Sequence, residues 1–387
     1  MVRAFFRIFY EQCKELIKHP LFAFCMVLLP VFVVFFFTDV MKEGLPTSMP
    51  IGVVDLDNTA TSRKLIRNLD AYQLSRVTAH YPSVALARKN MQRCNIYGFI
   101  YMPKGLENEM IGQRQPTISY YYNAAFIMPG SLVYKEMRAI STLGSAAMGS
   151  AKLQAMGLTQ RQIKAVLQPI VIDNHAIDNP WLSYNFYLSA VLIPTCLMIF
   201  VFLITAFSLG SELKYDNAKN WMKMAGDNVV VAVTGKILPQ TIVYTLVMWG
   251  WQYWLFIHLG FPHNCSFLFI MFTGLLLVLA GQGFAIFIFG IMPSLRMSMS
   301  ICALWSVLSF SVAGFTFPVG AMDPEIQAMA WLFPMRSYFM IYQINVFHGF
   351  PIGCAWTYYV VLLVFILLPL LVLPRIKKIY NTFVYIP

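Results

Sequence analysis

Six long apolar stretches divide the chain, and its polar residues gather in the intervals between them. The first runs from Leu21 to Phe37, bounded by Lys18 and Asp39. The second extends without a charge from Asn179 to Ser211, and the third occupies Ile237–Ile257. The fourth lies within Cys265–Met292, the fifth is Met297–Phe317, and the sixth is Ala355–Leu373. At about 1.5 Å of rise per residue, such stretches match a hydrocarbon core roughly 30 Å thick. The pattern predicts an α-helical integral membrane protein with spans at 20–39, 179–211, 229–257, 265–292, 297–317 and 355–374. Six spans put both termini on one side. The first stretch is too long for the apolar part of a secretory signal, and no small-residue cleavage site follows Thr38, so an uncleaved anchor is expected.

The polar interval 40–178 alternates strand and helix signals. Ile51–Leu56 is an apolar run closed by Asp57-Asn58, a turn pair. Thr61-Ser62 then caps a helix with Leu65, Ile66 and Leu69 on one face. Val77–Tyr81 predicts a strand, Ser83–Cys94 a helix, Ile96–Tyr101 a strand, Leu106–Ile111 a short helix, and Thr117–Tyr122 a strand. Residues 130–168 are expected to be mostly helical, weakened at Gly144, Gly149 and Gly157, with a last strand at Ile170–Ile172. Alternation of this kind predicts an α/β domain inserted between the first two spans.

Composition agrees with the class. The chain of 387 residues is 58% hydrophobic and 12% charged, against roughly 25% charged in a soluble domain. That excludes a disordered chain and an ordinary soluble enzyme. The net charge is +11, but the basic residues form no stripe interleaved with base-stacking aromatics, so no nucleic-acid partner is expected. They flank the spans instead: Arg3, Arg7, Lys14 and Lys18 before the first, then Lys214, Lys219, Lys223 and Lys236 between the second and third. Arg296 follows the fourth, and Arg375, Lys377 and Lys378 follow the sixth. The opposite short segments carry only Arg336. The positive-inside rule therefore predicts cytoplasmic termini and an extracytoplasmic 40–178 domain. Most of the seven cysteines lie in apolar runs, and none has metal-ligand spacing. Cys94 is alone in the polar interval, whereas a bridge between Cys265 and Cys354 is compatible with the topology.

No catalytic or metal-binding constellation emerges. Asp55 and Asp57 suggest either a carboxylate pair or, more simply, a turn and helix start after a strand. His80 and His175 are isolated. No phosphate-cradling glycine loop occurs, because Gly235-Lys236 is followed by Ile. The charge-free span cores argue against proton or sodium coupling within the bilayer. They suit a path for lipophilic or amphipathic cargo, driven by force applied outside the spans. The interval 212–228 offers a handle. Glu212 ends the second span, Asn217 is suited to the left-handed turn that stops a helix, and a short helix follows with Trp221, Met222 and Met224 beside Lys219 and Lys223. Such a helix either docks in a partner's groove or lies in the interface with Trp221 at headgroup level. Residues 1–19 predict an amphipathic interfacial helix with Phe5, Phe6, Phe9, Leu16 and Ile17 on one side.

Several of these segments resemble the permease subunits of type-2 ABC (ABC-2) exporters. The resemblance rests on Glu212, Asn217-Ala218, Trp221 and Gly235-Lys236-Ile237-Leu238-Pro239. It continues in the Gly314-Phe315-Thr316-Phe317-Pro318 run, Met322-Asp323-Pro324, Phe333-Pro334 and Gly349. The Asn-Ala pair departs from the family's Gly-Thr. The Gly52–Thr59 run is similar to the subgroup with a large extracytoplasmic insertion after the first span. The resemblance implies an inner-membrane homodimer or heterodimer of permeases, worked by separate cytoplasmic ATPase subunits that bind ATP and Mg, with no cofactor in this chain. It also implies two re-entrant helices over 318–354, a cytoplasmic tail over 375–387, and a periplasmic adaptor with an outer-membrane duct as further partners. Coupling to the ATPase is then expected at Glu212, Asn217, Lys219, Trp221, Met224 and Lys236, with Trp221 filling a groove on the partner. The translocation path and gate are expected at Gly314, Phe315, Phe317, Pro318, Phe333 and Pro334, with spans two and five lining the dimer seam. Two rival functions remain: an ABC-type mechanotransmitter acting on a periplasmic partner, and a membrane-anchored sensor or enzyme using the inserted domain.

Overall fold

The computed structural model describes residues 1–112, 114, 116–171, 173, 175, 179 and 183–382. The chain divides into two compact units, one formed by Met1–Lys42 with Ile177–Pro387 and one by Glu43–Ala176.

Among the described residues, the first unit contains six helical segments long and apolar enough to cross a membrane: Pro20–Val40, Tyr184–Lys214, Val229–His258, Phe267–Ile291, Leu295–Val312 and Ile352–Thr382. Spans two, three and four are mostly enclosed, whereas one, five and six leave most of their surface uncovered. Span two keeps one partly exposed stripe along its length, at Leu188, Leu192, Cys196, Ile199, Leu203 and Phe207. Asparagine and serine set the span starts. The Asn228 side chain accepts from the Val230 and Val231 N–H groups, and Ser183 caps Phe186 while being held by the Asn179 amide. Both are N-cap bonds that satisfy otherwise orphaned donors. Span four meets span six backbone to backbone at Gly283, where a Cβ would run into the Phe365 carbonyl and come 3.1 Å from Ile366 Cα. Small residues allow such contacts between membrane helices.

Span five is shorter than its apolar run. Its helix stops at Val312, because Gly314 turns left-handed at φ 91°, and Phe315–Phe317 fall in the turn that follows. Two short helices come next, Pro324–Met329 and Pro334–Ile341, separated by the extended Phe333. Span six does not give way to a loose tail at 375: its last helix, Pro369–Thr382, buries Ile376, Ile379 and Tyr380. Cys265 and Cys354 are both free thiols.

The second unit is a four-stranded sheet in the order β2-β1-β3-β4, with β1 Met49–Asp55, β2 Ser75–His80, β3 Gly98–Met102 and β4 Ser119–Tyr122. The first three are parallel and β4 is antiparallel. The chain goes from β1 outward to β2 and back past β1 to β3, so right-handed crossovers put their helices on opposite faces. Leu69 of Ala60–Asp70 joins Ile51, Val53 and Met137 on one face. Ala87 of Val84–Gln92 joins Val54 and Phe99 on the other.

Local details differ from the sequence pattern in three places. The cap of Ala60–Asp70 is Thr59, and Ser62 closes a reciprocal capping box as its third helical residue. The long helix Ile127–Ala155 runs through Gly144 and Gly149, since a glycine weakens a helix without ending it; the break comes at Gly157, left-handed at φ 85°. Ile170 and Val171 form no strand, and Ile172 lies outside the described residues.

Candidate functional site

A cleft of about 330 Å³ opens where the N-terminal helix Val2–Lys18, the end of span two, the loop helix Ala218–Met224 and the start of span three meet. The loop is shaped by backbone chemistry. Asp216 is left-handed at φ 58°, so it rather than Asn217 turns the chain out of span two. Asn217 is right-handed and begins the loop helix. Gly226 and Asp227 are again left-handed, at φ 64° and 56°, and Asn228 then caps span three.

Lys236 is the centre of the cleft. Span three begins at Val229, so Lys236 sits two turns inside the helix and is 2% exposed. Its ammonium donates to Gln12 Oε1 at 2.8 Å and to Glu212 Oε1 at 2.5 Å, with Glu15 Oε2 at 3.5 Å. Three acceptors thus surround a group with three protons to give. The Trp221 ring lies 5.7 Å from the same nitrogen. A buried ammonium without partners would cost several kcal/mol, so Lys236 ties the N-terminal helix to the end of span two. Glu212 stands at the negative end of the span-two helix dipole, where an anion is unfavourable unless a cation compensates it. The charge-free appearance of the span cores is corrected here: an ion pair is enclosed at one end of the bundle.

The loop helix has an inner and an outer side. Ala218, Trp221, Met222 and Ala225 are buried against Leu209, Leu213 and Ile379. Trp221 meets Tyr380 edge to face at 5.0 Å, and the Tyr380 hydroxyl donates to the Leu209 carbonyl at 3.0 Å. Trp221 is thus occupied within its own chain and is not presented to a partner's groove. The outer side exposes Lys219, Asn220 and Lys223. Of the residues expected to couple, Glu212, Asn217, Trp221, Met224 and Lys236 line the cleft together, and Lys219 does not. Gln12, Glu15 and Ile8 were not legible as site residues. On the N-terminal helix Ile8 and Gln12 are buried, whereas Phe6 and Ile17 are exposed.

The other expected group lies at the opposite end of span two. Phe315 stacks on Tyr187 at 4.2 Å, and the Tyr187 hydroxyl donates to the Phe315 carbonyl at 2.8 Å. At Gly314 a Cβ would come within 2.9 Å of Arg336 Nη1, which donates to the Ala313 carbonyl. Phe333 is buried and stacks on Trp305 at 4.8 Å, and Pro334 starts the helix behind it. Pro318 begins the turn Val319–Ala321, and Phe317 is exposed. Span two is one helix from Tyr184 to Lys214, interrupted only by Pro194. Its rise separates Tyr187 from Glu212 by roughly 37 Å, so one element carries both groups.

The carboxylate pair of the insertion is structural. Asp55 accepts from the Asp57 and Asn58 N–H groups and from the Ser62 hydroxyl. Asp57 accepts from Gly105 N–H, Glu107 N–H and the Thr59 hydroxyl. Burial acts to raise its pKa, but the Thr59 hydroxyl and the N–H groups of Glu107, Gly105 and Leu106 outweigh it and hold the carboxyl below its ordinary value. Beyond the carboxyl ends of β1 and β3, where open α/β sheets often bind ligands, Asp57 instead ties the turn after β1 to the segment after β3. His80 is exposed on β2, and His175 pairs with Asp173 at 2.9 Å. Among the described residues no group of three or more His, Cys, Asp or Glu is placed to hold a metal.

Comparison with known families matches residues 20–373 to the family described as ABC-2 family transporter protein. Comparison with curated proteins finds no match.

Proposed function

The chain belongs to the ABC-2 transporter family, as a multi-pass, non-catalytic membrane subunit, and we propose that it exports an amphipathic or lipophilic cargo using separate ATPase subunits that engage it at the Lys236 end. Permeases of this family partner with ATPases. The reading puts the Lys236 cleft, both termini and the loop helix on the cytoplasmic side of an inner membrane, and the insertion outside.

The observation that carries the proposal is Lys236 itself. A buried cation whose partners lie on the N-terminal helix (Gln12, Glu15), the end of span two (Glu212) and the loop helix (Trp221) makes these elements move as one body. The N-terminal helix, the end of span two and the loop helix then behave as a single handle, with Lys219, Asn220 and Lys223 as its outward grip. Trp221 acts as the rivet that fastens the loop helix to this body rather than as the grip. Closure of the ATPase pair displaces the handle, and span two carries the displacement to the Tyr187–Phe315 contact. Release of that stack opens the turn at Gly314–Pro318. Span five, largely uncovered, supplies the face towards a second permease, and a gate there lets greasy cargo pass outward. Pro194 removes one backbone hydrogen bond about a third of the way along span two, a place for the helix to bend.

The test uses the permease purified with its ATPase. A photo-crosslinking residue at Lys219 or Lys223 should capture the ATPase subunit, and one at Phe317 should not. Charge reversal, Lys219→Glu with Lys223→Glu, should abolish cargo-stimulated ATP hydrolysis while the complex still folds. Capture from Phe317 alone, or full stimulation in the reversed variant, would place the ATPase elsewhere.

A further inference from the structure

The inserted unit carries a surface that plays no part in this scheme. Its long helix Ile127–Ala155 turns back at Gly157 into a second helix, Gln160–Leu167. Two contacts close the hairpin: Ile163 is the one buried residue of the short helix, and Leu167 lies against Gly149, where a Cβ would come within 2.8 Å of it. Much of the rest is open. Leu143, Met156, Val166, Ile170 and Val171 are each more than half exposed. The same segment is strictly basic. Arg138, Lys152, Arg161 and Lys164 are exposed, no Asp or Glu occurs between 138 and 171, and none of the four makes an ion pair among the described residues. Four of the unit's carboxylates are engaged elsewhere: Asp70 accepts from Val77 N–H, Glu136 from Leu74 N–H, and Asp55 and Asp57 from their turns.

We infer that this hairpin docks on an anionic lipid surface. Exposed aliphatic side chains and unpaired cations on one hairpin are the chemistry of an interfacial membrane binder, with apolar groups seated at the acyl boundary and Lys or Arg at the phosphates. Long basic side chains also lay their methylene stems on apolar surface while the charge stays in water. A second copy is a poor occupant, because it would bring four more cations against the first four. Both ends of the unit lead along the chain towards membrane-spanning segments. The inference does not depend on the coupling role of Lys236.

The test uses the full chain with Cys13, Cys25, Cys94, Cys196, Cys265 and Cys354 replaced by Ser and an environment-sensitive fluorophore on Val166→Cys. The protein is placed in nanodiscs of phosphatidylcholine with or without phosphatidylglycerol, and vesicles of the same two compositions are added outside. Emission should shift to the blue, and an aqueous quencher should lose access, only with phosphatidylglycerol. Raised salt should reverse the change, and Lys152→Gln/Arg161→Gln/Lys164→Gln should remove it while leaving elution on size exclusion unchanged. Equal emission in neutral and anionic lipid overturns the inference. Protection that needs an added acidic protein instead of anionic lipid overturns it as well.

Discussion

Replacing Lys236 by Met removes the ammonium and keeps most of the side-chain volume. Glu212, with a side chain 12% exposed, then faces the negative end of its own helix dipole with no cation, and Gln12 loses its partner. Breaking a buried pair by removing one member costs about 3–5 kcal/mol. Glu15 is partly exposed and water screens its share, which puts the expected value near the lower limit, about 3 kcal/mol. The loss is local, because Lys236 holds the N-terminal helix to the bundle. Hydrogen exchange of the amides in Val2–Lys18 and Ala218–Met224 should therefore quicken by roughly two orders of magnitude, each factor of ten being about 1.4 kcal/mol. The double variant Lys236→Met/Glu212→Leu should recover most of this, since an apolar pair of similar volume replaces an ion pair at little cost. Exchange that changes less than tenfold in the single variant would refute the argument. So would a double variant as unstable as the sum of its two single changes, because the energy would then not reside in the pair.

Other changes should act through single contacts. Gly314→Ala forces a left-handed backbone on a residue with a Cβ and pushes against Arg336 and Val319; a cost of about 1–2 kcal/mol is expected, read as a lower thermal midpoint together with reduced cargo transport. Gly283→Ala sets a Cβ against the Phe365 carbonyl and should cost about 1–3 kcal/mol by overpacking, seen as reduced recovery of monodisperse protein. Asp57, held below the ordinary aspartate value of about 3.9, stabilises the insertion fully above that pH. This contribution is lost as pH falls through the lower folded-state value. Acid proteolysis of the full chain should reveal the loss, and Asp57→Asn should be weakened already at neutral pH with a flatter acid profile. Thr59→Ala removes one side of the capping box and should destabilise the Ala60–Asp70 helix by about 1 kcal/mol, measurable by the same proteolysis.

The class of the molecule is legible because a bilayer demands long apolar helices, and apolarity survives in a sequence without knowledge of contacts. The βαβ rhythm of the insertion is legible for a similar reason, since strand runs and amphipathic turns are local. What escapes is long-range or depends on a single torsion. Nothing in Gln12 announces that it will meet Lys236, which lies 224 residues away. The burial of Lys236, however, has a local signal: Asn228 is a strong cap, and a helix started there necessarily contains residue 236. Trp221 also has one, because Ala218, Trp221, Met222 and Ala225 recur at i, i+3, i+4 and i+7, the mark of an inward face. Asp216 and Asn217 both tolerate a left-handed backbone, so sequence does not choose between them. The apolar run of the fifth span overruns its helix because Phe315 and Phe317 are as apolar as the residues before them, and only Gly314 marks the helix's end.

The account's central claim is that the elements joined at Lys236 move as one body. A Cβ at Gly235 would lie 3.2 Å from the Cβ of Ile8, so cysteines at the two positions need only a few tenths of an ångström of adjustment to reach disulfide geometry. With Cys13, Cys94 and Cys354 changed to Ser, Ile8→Cys/Gly235→Cys should be oxidised in the complex with its ATPase and cargo transport measured. Because Lys236 already joins these elements into one body, the account predicts that the cross-linked protein binds ATPase and moves cargo as the reduced protein does. Loss of transport that returns when reductant is added would contradict it.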